Sequence, residues 1–163
     1  MKDLKFDFAT ITDEKEMRKL LSLCQLHTDD INREQLKHFI LAKKDRNIVG
    51  VIGLEIDNKI GLLRSLAVDP SFRLKGIGKL LSERIIAYSY QLALNEIFLF
   101  TKDADKYFEI LGFKKIKRED LSSQICESTL FKEYCPDTAL CMSKKINNGT
   151  INSSHLFIST IMD

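Results

Sequence analysis

Leu62 to Gly78, LLRSLAVDPSFRLKGIG, is the stretch that decides how this chain is built. Its apolar first half predicts a strand ending at Val68, and Asp69-Pro70 predicts a turn. The Arg73-Leu74-Lys75-Gly76-Ile77-Gly78 loop then runs straight into a helix from Gly78 to about Leu92, with Leu81, Ile85, Tyr88 and Leu92 at three- and four-residue steps. Gly76 and Gly78 let the main chain turn tightly and approach a ligand with no Cβ in the way. Amides from about Lys75 to Lys79 precede the helix's own hydrogen bonds and face the positive end of its dipole. Strand, glycine loop and helix start in that order make a socket for an anion, a pyrophosphate above all, with Arg73 and Lys75 beside it. The competing reading is a tight strand-to-helix connection and nothing more.

Two better-known phosphate loops do not fit. A Rossmann dinucleotide fingerprint needs Gly-x-Gly-x-x-Gly, and the order here starts with Arg-x-x-Gly. A Walker A loop needs Gly-Lys-Ser/Thr, which does not follow Gly78.

Working outward, Leu4 to Ala9 alternates and predicts a first strand. Thr12 is placed to cap a helix carrying Asp13, Glu14 and Glu16 at its positive end and a stripe of Met17, Leu20, Leu21 and Cys24. His27 to Asn32 reads as a polar loop and Arg33 to Leu36 as a helical turn. Phe39 to Ala42, Ile48 to Ile56 and Ile60 to Val68 read as strands, the last two a hairpin through Asp57-Asn58; Lys43 to Asn47, with no apolar residue, is a turn. In the helix after the loop, Glu83, Arg84 and Ser89 fall on the polar side. Ile97 to Phe100 is apolar throughout, as in a strand covered on both faces. Asp103 to Ile110 predicts a short helix stopped at Gly112. Phe113 to Ile116 and Ala139 to Ile146 predict two more strands, and Leu121 to Phe131 is ambiguous helix. The expected fold is an α/β (α+β) mixed, twisted sheet of about six or seven strands with helices on both faces. One domain should cover residues 1–146, with 147–163 a polar extension ending in a short apolar stretch.

Bulk properties exclude several classes. The 163 residues suffice for one domain. A net charge of +2, from 25 basic and 23 acidic residues, leaves no nucleic-acid footprint. The lysine pairs Lys43-Lys44, Lys114-Lys115 and Lys144-Lys145 are expected to end strands in water. Cys24, Cys126, Cys135 and Cys141 form no CxxC and stand at no metal-ligand spacing with His27, His38 or His155, so buried thiols and no metal are expected. The absence of a long apolar run or a leader pattern points away from a membrane and toward the cytoplasm.

The Arg73-x-x-Gly76-x-Gly78 order after a fourth strand resembles the coenzyme-A signature of the GCN5-related N-acetyltransferase superfamily. A version with glycine directly after the arginine is common there; this chain has Leu74. A second segment, Ala104-Asp-Lys-Tyr107-Phe108-Glu-Ile-Leu-Gly112-Phe113, resembles the superfamily's A-x-x-[FY]-[FY]-x-x-x-G-F element. The two motifs and the strand order carry the resemblance over roughly Leu4 to Ile146. Within it, GLLRSLAV (Gly61–Val68) and FKEYCPDTALCM (Phe131–Met142) resemble the arsenic-resistance and short amino-acid N-acetyltransferases, with Tyr134 and Asp137-Thr138 departing from the usual residues.

The resemblance implies acetyl-CoA as cofactor and transfer of its acetyl group to the amine of a small, carboxylate-bearing, amino-acid-like metabolite, by a monomer or homodimer. It places Leu66, Ala67 and Val68 along the pantetheine arm, with an amide near Ala67 or Val68 facing the thioester oxygen. Arg73, Leu74, Lys75, Gly76, Ile77, Gly78 and Lys79 would hold the pyrophosphate. Tyr107 is the candidate general acid, or else fills a core edge. Glu55 is the candidate base, directly or through water, or else an exposed strand glutamate. Arg64 is a charge on a covered strand and needs a partner. With Ser65 beside it, it either clamps a substrate carboxylate or pairs with Glu55 across the hairpin. The alternatives are a protein or peptide N-acetyltransferase and a silent coenzyme-A-binding domain.

Overall fold

The computed structural model describes residues 2–134 and 138–146. The expected tail from Asn147 on, and Cys135, Pro136 and Asp137 of the FKEYCPDTALCM segment, lie outside these residues. Seven strands form a mixed sheet: β1 (Leu4–Phe8), β2 (Phe39–Lys44), β3 (Asn47–Asp57), β4 (Ile60–Val68), β5 (Glu96–Thr101), β6 (Lys114–Ile116) and β7 (Leu140–Lys145). Their hydrogen-bonded order is β1-β2-β3-β4-β5-β7-β6. β4 and β5 are parallel; β1–β2, β2–β3, β5–β7 and β6–β7 are antiparallel. The helices are α1 (Glu14–Leu23), α2 (Ile77–Gln91), α3 (Asp105–Ile110), α4 (Ser123–Glu127) and α5 (Thr129–Tyr134). The chain divides into two compact units, the first including residues up to Leu54 with Arg64–Ala87, the second including Glu55–Leu63 and the segment from Tyr88 on.

In the first unit the faces of β2 and β3 sort the helices. Leu41 and Val51 are cross-strand partners and share a core with Met17, Leu20 and Leu21 of α1. Ala42 and Gly50, the next pair, point the opposite way, and Gly50 lies under Ile77 and Leu81 of α2. Helices therefore cover both faces of this part of the sheet. β2 and β3 join through Asp45 and Arg46, both left-handed at φ 49° and 73°, the paired signature of a tight hairpin turn. The ladder then skips a residue, Ala42 opposing Gly50 and Lys43 opposing Ile48. The extra residue, Val49, turns its carbonyl to the Asp69 amide at 2.9 Å and so ties down the end of β4.

The start of α1 differs from expectation. Thr10, rather than Thr12, flanks a short 3₁₀ turn, Ile11–Asp13, and its amide and hydroxyl donate to the Asp13 carboxylate at 2.8 and 3.0 Å. Partial burial pushes the Asp13 carboxyl up, but the Lys43 ammonium 2.9 Å away and the Thr10 donors together hold it below the ordinary aspartate range. The polar side expected for α2 is only partly so. Ser89 is buried, and the Arg84 guanidinium lies over the Phe6 ring at 3.7 Å, where loss of water lowers its pKa. The helical turn expected at Arg33 to Leu36 is a 3₁₀ turn at Gln35–His38.

The second unit has its own core of Ile60, Leu62, Phe98, Leu121, Ile125, Leu130 and Cys141. The stretch expected as one ambiguous helix is two, broken at Ser128, whose hydroxyl donates to the Ile125 carbonyl and accepts the Phe131 amide. Cys141 is buried as expected; Cys24 and Cys126 are only half-buried, and all three are reduced. The lysine pairs do close strand ends, but in ion pairs: Lys43 with Asp13, Lys115 with Asp105 at 2.7 Å, and Lys145 with the buried Glu96 at 3.0 Å.

Candidate active site

β4 sets the geometry. Ser65 adopts φ 59° within the strand, a left-handed kink in an otherwise extended run. Among the described residues the β4–β5 ladder pairs Ile60–Leu62 with Glu96–Phe98. Leu66, Ala67 and Val68 follow that kink and complete the strand.

The Val68 carbonyl is an anchor. It accepts from Arg73 Nε at 3.0 Å and from the Cys24 thiol at 3.6 Å, and Arg73 Nη2 reaches Cys24 Sγ at 3.6 Å. Between Val68 and Arg73 the chain makes the Asp69-Pro70 turn read from the sequence. The Asp69 carboxylate accepts the Ser71 amide at 2.8 Å, and the Phe72 amide donates to the Asp69 carbonyl at 2.8 Å. Lys75 folds its ammonium over the Phe72 ring at 5.1 Å. Arg73 and Lys75 therefore fasten the loop as well as adding charge to it. Leu74 is fully exposed at φ 63°, and Gly76 follows at φ 82°.

A Cβ on Gly76 would meet nothing within 4 Å, so the loop is open on that side. The first bond of α2 joins the Leu80 amide to the Gly76 carbonyl at 3.1 Å, and the amides of Ile77, Gly78 and Lys79 come before that ladder. Ile77 is buried against Gly50, and the Ser82 hydroxyl donates to the Gly78 carbonyl at 2.8 Å, so both ends of the glycine pair are held. Open space at Gly76 and amides that precede the first helical bond of α2 suit a pyrophosphate. The residues present fit coenzyme A.

Arg64 precedes the kink. Its Nε donates to Ser65 Oγ at 3.0 Å, and Nη1 and Nη2 form a two-point pair with the Asp30 carboxylate at 2.8 and 2.9 Å. Asp30 went unnoticed in the sequence, in a polar loop whose periodicity carries no signal. The requirement that a charge on a covered strand have a partner was the one clue. Glu55 itself is only 4% exposed, which removes the alternative of an exposed strand glutamate.

Tyr107 and Glu55 belong to the second unit. Tyr107 is half-buried on α3, its ring edge-on to Phe108 at 5.0 Å, and Phe108 is edge-on to Phe113 at 5.7 Å. Gly112, at φ 93°, ends α3 with two bonds, its own amide to the Glu109 carbonyl and the Phe113 amide to the Phe108 carbonyl, both at 3.0 Å. This Schellman cap makes Gly112-Phe113 the anchor of the helix carrying Tyr107. Among the described residues, no cluster of three His, Cys, Asp or Glu side chains could hold a metal ion, and no helix is long and apolar enough to cross a membrane.

Residues 2–113 match the model of the acetyltransferase (GNAT) family, and the chain belongs to that family, with acetyl-CoA as its cofactor. It is 30% identical over 109 residues to an N-acetyltransferase of Chlorobaculum tepidum, covering 66% of this chain and 68% of that one. It is 36% identical over 110 residues to the N-acetylaspartate synthetase of Rattus norvegicus, covering 60% of this chain and 36% of the relative. In fold it matches N-acetylglutamate synthase from Neisseria gonorrhoeae, solved with coenzyme A and N-acetyl-glutamate, at a TM-score of 0.75 and 15% identity over 89% of this chain and 35% of that one. The chain thus spans little more than a third of the last two proteins.

Proposed function

We propose that this protein transfers the acetyl group of acetyl-CoA to the amine of a small, amino-acid-like metabolite that carries a carboxylate. The observation that carries the reading is the loop from Arg73 to Lys79, which ends in amides open to an anion and is braced from below by Val68, Phe72 and Gly50. The acceptor class is supported by relatives whose names specify N-acetylaspartate and amino-acid acetylation.

In this reading Arg73, Leu74, Lys75, Gly76, Ile77, Gly78 and Lys79 hold the pyrophosphate, chiefly through main-chain amides. Leu66, Ala67 and Val68 hold the pantetheine arm. When bound, the cofactor supplies an activated acyl thioester. The chain's part is to orient the amine, accept its proton, stabilise negative charge on the carbonyl oxygen with an amide near Ala67 or Val68, and protonate the departing thiolate. Tyr107 is the proposed acid, since a phenol can hand its proton to a thiolate. Glu55, 4% exposed on β3, is the proposed base, acting directly or through water. Arg64 and Ser65 lie on the acceptor side. We further propose one catalytic domain over residues 1–146, working in the cytoplasm as a monomer or homodimer.

The test is a thiol-release screen with acetyl-CoA against glutamate, aspartate, phosphinothricin, polyamines and short peptides, coupled to calorimetric titration of acetyl-CoA. Saturable binding with release specific to amino acids is expected. Saturable binding without release for any amine would leave a silent binder, and preference for peptides would move the acceptor class.

A further inference from the structure

β1 stands at one end of the seven-stranded order, and among the described residues only β2 pairs with it. The register fixes which main-chain groups lie on its outer side. Ala9 follows in the ladder opposite Phe39, and its amide donates to the Phe39 carbonyl at 2.9 Å. Main-chain groups alternate sides along a strand, so the amides and carbonyls of Lys5 and Asp7 face β2. Those of Leu4 and Phe6 face away from it.

Asp7 is the cross-strand partner of Leu41, and Lys5 of Lys43, so both project on the α1 face, where Leu41 joins the core. Lys5 and Asp7 are nevertheless exposed. An open hollow of about 380 Å³ beside them is lined by Asp3, Lys5, Asp7, Lys43, Asp45 and Arg46. With three charges of each sign, that face is wet and carries no excess charge to repel a copy of itself. Phe6, the partner of Ala42, projects on the α2 face, half-buried, its ring held under the Arg84 guanidinium at 3.7 Å.

A sheet edge with open amides is a template for another strand, and like charges along it guard against that pairing. β6, at the other end of the order, is guarded so: it has three residues, two of them Lys114 and Lys115. On β1, Lys5 and Asp7 flank Phe6 with opposite signs. A second copy laid antiparallel, Phe6 against Phe6, sets each Lys5 opposite the partner's Asp7, twice over by the two-fold axis. Phe6 then exchanges both main-chain bonds with its counterpart. Lys5 and Asp7 fall in the adjacent non-bonded positions, where facing Cα atoms are only about 4.5 Å apart and side chains meet. A parallel copy in the same register would set lysine on lysine and aspartate on aspartate. We propose that the outer edge of β1 is a homodimer interface, two copies joining antiparallel about Phe6 with reciprocal Lys5–Asp7 ion pairs. The proposal does not rest on the acetyltransfer reading. Of the monomer and homodimer put forward there, it selects the second and names its surface.

The experiment is sedimentation equilibrium on the full chain from roughly 5 to 500 µM at low ionic strength. It compares the wild type, Lys5→Asp, Asp7→Lys, an equimolar mixture of those two, and the Lys5→Asp/Asp7→Lys double variant. Both positions are exposed, so folding should hold, with Tm as the check. The wild type should form a dimer whose Kd rises with added salt. Each single variant turns two attractions into two repulsions and should raise that Kd by at least about tenfold. The mixture sets aspartates opposite lysines and should dimerise again as a heterodimer. The double variant exchanges the signs and should recover the homodimer. A wild type that stays monomeric over the whole range overturns the proposal. So does a dimer indifferent to the single variants, or a loss that the mixture or the double variant fails to reverse. None of these results bears on acetyl-CoA binding or thiol release, which test the acetyltransfer reading separately.

Discussion

Gly50→Ala perturbs the cofactor loop without touching it. Gly50 lies on β3 where the first turn of α2 comes down on the sheet. A Cβ there would stand 2.9 Å from Leu81 Cδ1, 3.0 Å from Ile77 Cγ2 and 3.4 Å from Ala42 Cβ. The first two distances fall well short of the roughly 3.5–4.0 Å at which carbon atoms attract, while the third is an ordinary contact. Leu81 and Ile77 are fully buried, so neither can swing into water, and the helix start must rise by some tenths of an ångström. Overpacking of this kind costs about 1–3 kcal/mol, and burial of the new methyl returns about 0.8 kcal/mol. A net loss of about 0.2–2 kcal/mol follows, or up to about 8 °C in Tm for a chain of this length. Ile77 sits between Gly76 and Gly78, so the same displacement moves the amides read as the pyrophosphate site. If about 1 kcal/mol of it reaches the loop, the Kd for acetyl-CoA rises about fivefold. Scanning calorimetry and isothermal titration measure the two quantities, and Gly50→Val should enlarge both. An unchanged Tm with unchanged Kd would show that α2 is not seated through Gly50. A lowered Tm with unchanged Kd would refute the link from packing to cofactor.

Three further predictions address other parts of the molecule. Arg73→Ala removes the donor to the Val68 carbonyl and should weaken acetyl-CoA binding, measured by titration; Arg73→Lys, which restores charge but not the Nε bond, should recover little of it if bracing is the main role. Tyr107→Phe keeps the edge-on packing on Phe108 while deleting the hydroxyl. It should lower kcat about 10²-fold or more with Tm nearly unchanged if the phenol is the acid, whereas an unaltered kcat would return Tyr107 to a packing role. Asp13→Asn should cost about 1 kcal/mol through the weakened Thr10 contacts and the lost Lys43 pair. Because the folded-state pKa of Asp13 is depressed, its contribution is present above about pH 3.8, the ordinary value, and fades as pH falls through the folded value. The stability gap between wild type and variant, followed by denaturant titration, should therefore close in acid; a gap constant with pH would contradict the assigned cause.

Some features were legible because they follow from short-range rules. The strand ending at Val68, the Asp69-Pro70 turn and α2 each depend on neighbours within a few residues, and all appear where the residue pattern put them. Gly112 closing α3 is a local matter of a left-handed cap, and it too was readable. Where two local signals competed, the outcome was harder to see. Thr10 and Thr12 are both plausible caps, and Thr10 has the role because Asp13 lies three residues beyond it. The Leu121 to Phe131 stretch lacked a clean period because Ser128 splits it into two helices.

By itself the sequence determined the order of elements and the family, since spacing and residue type encode both. Tertiary structure alone decided the pairing of Asp30 with Arg64 and the closing of Arg73 back onto Val68 and Cys24. It also decided the left-handed backbone at Ser65 and the burial of Glu55 and Ser89. The physical reason is separation along the chain. Asp30 and Arg64 are 34 residues apart, and Arg73 and Cys24 are 49 apart. Such contacts arise only once the sheet and its helices have packed, and no local pattern records which distant charge an arginine will meet.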